Sequence, residues 1–95
     1  MNTLTANALQ QLMIELPGWQ LDDGKLFREY QFMDFREAFD FMEKVARLAD
    51  RHNHHPDWWN SYRTVRIWLT SHDSGGLTER DEQLAKAIQA LDHTT

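Results

Sequence analysis

The chain alternates between two spacings of apolar residues, and the switches between them mark its elements. Leu9, Leu12, Met13 and Leu16 recur at the i, i+3, i+4, i+7 positions of one helical face. Thr5 stands where it can cap that helix, and Pro17-Gly18 stops it. Extended runs at 19–21 and 26–32 then flank Asp22-Asp23-Gly24-Lys25, where Asp-Gly is a hairpin signal because glycine supplies positive φ. Phe35, Ala38, Phe39, Met42, Val45, Ala46 and Ala49 trace a long helical stripe that fades as a histidine cluster begins. Pro56 forbids an ordinary helix across that cluster, because it lacks an N–H and restricts His55.

Beyond the cluster, Val65, Ile67 and Leu69 alternate with Arg66, Trp68 and Thr70, the period-2 pattern of a half-buried strand. Residues 59–62 are expected to form its neighbour. Ser74-Gly75-Gly76 reads as a loop. Thr78 then caps a last helix striped by Leu84, Ile88 and Leu91, with Asp81 in the place where a capping box normally carries Glu or Gln. The order α-β-β-α-β-β-α predicts an α+β fold: a four-stranded antiparallel sheet with helices packed on one face. Residues 1–95 read as a single domain without repeats or linkers.

Composition narrows the chemistry. There is no cysteine, which excludes thiol nucleophiles, disulfides and thiolate metal sites and fits a reducing, cytoplasmic setting. A net charge of -5 argues against direct nucleic-acid binding, which needs a cationic face. No apolar run approaches the ~18 residues of a membrane span.

The stretch RHNHHPDWW, residues 51–59, concentrates three of the five histidines. His52 and His54 at i, i+2 have metal-like composition, but the spacing is unspecific and no HExxH pattern supports it, so no metal is expected. A solvated helix-to-strand connection is the second reading. Acid–base chemistry is the third, and topology favours it. If the last two strands pair antiparallel, His54 and His55 before one of them meet His72 just past the end of the other. Asp50, four residues before His54, and Asp81 can reach the same rim. Histidines flanked by carboxylates suit proton transfer near neutrality.

The pattern Asp50-x3-His54-His55-Pro56-x5-Tyr62-x9-His72-x8-Asp81 resembles the signature of the pterin-4a-carbinolamine dehydratase family. Pro17-Gly18-Trp19, residues 35–45, and Gly76-Leu77-Thr78-Glu79-Arg80-Asp81 agree with it, so the resemblance spans nearly the whole chain. It implies an α+β fold and dehydration of 4a-hydroxytetrahydropterin to quinonoid dihydropterin, recycling the pterin of an aromatic amino-acid hydroxylase, with no cofactor. It implies that His54 and His72 form an acid–base pair, that His55 binds and polarises the pterin or acts as base, and that Asp81 orients a histidine or the substrate. Asp50 is expected to bind the substrate, with a shorter arm than the glutamate common at that place. Asn53, Thr70, Ser71 and Asp73 are expected to offer hydrogen bonds to the pterin's amide-like edge, and Trp58 or Trp59 an aromatic wall. The resemblance also points to a homodimer or homotetramer, as do the sheet edges that so short a chain leaves unpaired. Two other roles stay open: a protein-binding module or transcriptional coactivator, and a part in molybdopterin metabolism.

Overall fold

The computed structural model describes residues 2–94. Thr5 opens helix α1, Ala6–Glu15, its hydroxyl accepting from the Ala8 N–H at 3.1 Å. Strands β1, Gln20–Asp22, and β2, Lys25–Gln31, form the expected hairpin. Its two turn residues, Asp23 and Gly24, both take positive φ (52° and 78°), which matches the right-handed twist of the flanking strands. Helix α2, Phe35–His52, leads to β3, Asp57–Ser61, and β4, Thr64–Leu69; a short 3₁₀ turn, His72–Ser74, precedes helix α3, Glu79–Ala90. The sheet is antiparallel with order β1-β2-β4-β3.

The helices cover one face of that sheet. Leu12 and Leu16, Ala38, Phe41 and Val45, and Leu84, Ala85 and Ile88 share one core with Leu26 and Tyr30 of β2 and Val65, Ile67 and Leu69 of β4. The α+β prediction and the element order are therefore observed. Strand alternation leaves the other face to Glu29, Trp59, Arg66 and Trp68, with the Arg66 guanidinium over the Trp59 ring at 4.5 Å.

Two expectations shift. The third strand begins at Asp57 and ends before Tyr62, because Tyr62 takes a positive φ (51°) in the two-residue turn to β4. Asn60 holds that turn, its amide donating to the Tyr62 and Thr64 carbonyls. The buried stripe of α2 is Ala38, Phe41, Val45 and Ala49, so Phe35, Phe39 and Ala46 stand outside it. Phe39 is 40% exposed and leans on Phe35 at 5.8 Å, whereas Phe41 is 8% exposed and packs against Tyr30 and Phe32.

Those two phenylalanines, two positions apart, give a direct check. Phe41→Ala is expected to lower unfolding free energy by about 3–5 kcal/mol in urea titrations, and Phe39→Ala by much less. Equal losses would mean that the buried face of α2 is misassigned.

Candidate active site

The end of α2 sets the geometry. Asn53 adopts the left-handed conformation (φ 51°), and two backbone bonds close the helix: Asn53 N–H to Asp50 O and His54 N–H to Ala49 O. This is a Schellman closure, with asparagine filling the position that glycine usually takes. It turns the chain sharply, so the His54 side chain is buried instead of continuing outward.

His54 is 8% exposed and meets Asp81 of α3, with Nε2 at 2.6 Å from Oδ1. Asp81 is fully buried. Its Oδ2 accepts from the Ser71 hydroxyl at 2.7 Å and from the Thr78 backbone N–H at 2.9 Å. The second of these completes a capping box with Thr78, so aspartate performs the reciprocal bond that glutamate normally makes. Ser71 Oγ also lies 2.8 Å from Thr78 Oγ1. The end of β4, the start of α3 and the loop after α2 therefore converge on the two oxygens of one carboxylate.

Two further histidines carry carboxylate partners at the surface. His55 Nε2 is 2.9 Å from Asp50 Oδ1, and His72 Nε2 is 3.3 Å from Asp57 Oδ2. His72 reaches Asp57 because β3 and β4 are antiparallel, with Asp57 opposite Trp68, so the first residue of one strand lies beside the exit of the other. Asp57 is missing from the residues that the histidine spacing points to, and only the register of β3 and β4 reveals it. All three rings engage oxygen through Nε2.

The remaining candidates divide. Asp73 lies on the 3₁₀ turn and is held by Arg80 at 2.6 Å; that hydrogen bond keeps its carboxyl below the usual carboxylate range. Ser71 is 1% exposed with its hydroxyl committed to Asp81 and Thr78, so it supports the rim from beneath. Asn53 is exposed and its conformation belongs to the helix closure. Thr70 is half-buried at the exit of β4. Trp58 packs against the core, while Trp59 is 43% exposed on the open face. His52 ends α2, half-buried.

Among the described residues, no three His, Cys, Asp or Glu side chains cluster to hold a metal ion, and no helix is long and apolar enough to cross a membrane. A groove of about 560 Å³ opens elsewhere, lined by Tyr30, Phe32, Phe41 and Lys44 among others. It borders the end of β2 where Gln31 pairs with Thr64, whereas the histidines border the end where Leu26 pairs with Leu69. Burial pushes the Tyr30 phenol well above the usual tyrosine range. Among the described residues, its lining includes no histidine.

The fold and the rim define an α+β domain built to hold several histidines, each against an aspartate, at one end of an antiparallel sheet. Residues 2–91 match the family model for pterin 4 alpha carbinolamine dehydratase, and the chain belongs to that family. A Prochlorococcus marinus (strain MIT 9303) protein, named provisionally as a pterin-4-alpha-carbinolamine dehydratase, is 52% identical over 94% of this chain and 93% of its own. A Rhodopseudomonas palustris (strain BisB18) protein of the same provisional name is 51% identical over 81% of this chain and 78% of its own. The crystal structure of a transcriptional coactivator/pterin dehydratase from Brucella melitensis superposes with a TM-score of 0.88 at 37% identity, covering 94% of this chain and 97% of that one.

The buried and exposed carboxylates should behave differently on truncation. Asp81→Ala strands Thr78 N–H, the Ser71 hydroxyl and His54 without their acceptor, and breaking such a buried pair costs about 3–5 kcal/mol. Asp50→Ala, at a carboxylate 81% exposed, should leave the urea midpoint close to that of the parent chain. Similar midpoints for the two variants would refute the shared role of Asp81.

Proposed function

We propose that this chain dehydrates 4a-hydroxytetrahydropterin to quinonoid dihydropterin and water, returning the pterin cofactor of an aromatic amino-acid hydroxylase. The observation that carries this reading is that His54, His55 and His72 each stand at hydrogen-bonding distance from an aspartate at one rim, in a chain of this family.

The reaction is a balanced loss of water. The C4a–O bond breaks with its electron pair going to oxygen, an imidazolium gives the leaving hydroxyl its proton, and a neutral imidazole takes one from a ring nitrogen. Two histidines therefore exchange protonation states, and solvent resets them. His54 and His72 form the acid–base pair, and His55 binds or polarises the pterin. Their surroundings fit this division. His54 is anchored on the helix side against α3, while Asp57, the partner of His72, belongs by strand alternation to the side that carries Trp59. A flat ring between them would meet imidazoles from two sides. Asp81 and Asp50 orient their histidines. Thr70 and Asn53 border the rim and offer backbone groups to the substrate, and Trp58 backs it. The protein works as a homodimer or homotetramer.

A second reading takes its support from the Brucella melitensis protein, whose description includes transcriptional coactivator. Binding a protein partner would not need three histidine–aspartate pairs, so the enzymatic reading is preferred.

Dehydration of 4a-hydroxytetrahydropterin by folded His52→Ala, His54→Ala, His72→Ala and the His54/His72 double variant tests this reading. General acid–base contributions run ~10²–10⁴-fold, and each single loss should fall at the lower end because the surviving histidine serves its own side. The double variant should approach the uncatalysed rate, and His52→Ala should turn over almost normally. If His52→Ala is the most damaged, or the double variant keeps most of its activity, the site is misplaced and the coactivator reading gains.

A further inference from the structure

We infer that Asp57 is a positioning residue for His72, fixing the ring proton on Nε2 so that His72 works through Nδ1. The inference rests on the dehydratase reading for its kinetic consequence and on geometry for the rest.

Asp57 opens β3 directly after Pro56, whose ring limits how the chain can enter the strand. Pairing with Trp68 then brings its carboxylate to the exit of β4, and His72 Nε2 lies 3.3 Å from Oδ2. A structural purpose for this contact is weak. The two side chains are 73% and 59% exposed, and ion pairs so open to water add little to stability. The neighbouring charges are already engaged with one another, since Asp73 next to His72 is held by Arg80. Asp57 is thus the acceptor left to select the tautomer.

A carboxylate only accepts, so the neutral imidazole beside it must donate from the facing nitrogen. In His72 that nitrogen is Nε2, and the lone pair remains on Nδ1. His54 and His55 face Asp81 and Asp50 through the same atom. The three rings would then act on substrate through Nδ1, with an aspartate behind each. For His72 this assigns the proton exchanged with the pterin to one atom, and it makes the spacing between Asp57 and His72 part of the site. An amide at position 57 could either donate or accept, so it would no longer select the tautomer.

The test uses this chain with ¹⁵N-labelled histidine. In the parent protein, neutral His72 should show the Nε2–H tautomer as its main form. Asp57→Asn should give a mixture, and Asp57→Glu should restore the parent pattern. In the dehydration assay, Asp57→Asn should lower kcat about tenfold, the low end expected for a group acting through an exposed acid–base residue, while KM changes by less than about twofold. In a His72→Ala background the same substitution should have no further effect. An Nδ1–H tautomer in the parent, or a tautomer unmoved by Asp57→Asn, would overturn the inference, as would an equal rate loss in the His72→Ala background. If the parent chain does not dehydrate the pterin at all, the functional reading fails, and the nitrogen spectra still decide the role of Asp57.

Discussion

A carboxylate taken out of water must find donors for both of its oxygens, and Asp81 finds them on three separate parts of the fold. Thr78 comes from the cap of α3, Ser71 from the exit of β4, and His54 from the turn after α2. None of these segments is long, and none is fixed by apolar packing alone. Their common acceptor holds the helix layer to the strand ends, and the histidine rim takes its shape from that junction. Breaking it would free the first turn of α3 and the loop that carries His54 together.

The same junction separates the histidines into two kinds. His54 is buried, with its ring orientation fixed by a short bond to a buried partner. His55 and His72 are exposed and held by exposed aspartates, so solvent competes for their ring nitrogens. A rigid imidazole beside two adaptable ones suits a reaction that must deliver one proton and remove another around a single flat ring.

Much of this was legible in the sequence because it depends on local rules. Asp-Gly specified the first hairpin, the alternation through Val65, Ile67 and Leu69 specified β4, and Thr78 with Asp81 specified the opening of α3. Antiparallel pairing of β3 and β4 places Asp57, just past His54-His55-Pro56, beside the exit of β4 and His72. What was not legible depends on side-chain direction. The stripe through Phe35, Phe39 and Ala46 satisfied helical spacing, yet packing selected Phe41, because the face that α2 presents is set by its neighbours. Ser71 was placed at the rim by sequence position, but its hydroxyl turns inward to Asp81. Asp57 is hard to read from sequence because its partner is fifteen residues away across a strand register. Asn53 looked like a polar loop residue, whereas its backbone conformation closes α2.

The measurement that tests the central claim most directly is hydrogen exchange of the histidine ring protons, followed by NMR in the parent protein. If Asp81 anchors His54 in the interior, the His54 Nε2–H should exchange far more slowly than the ring protons of His55 and His72. A His54 ring proton that exchanges as fast as those two would contradict the account.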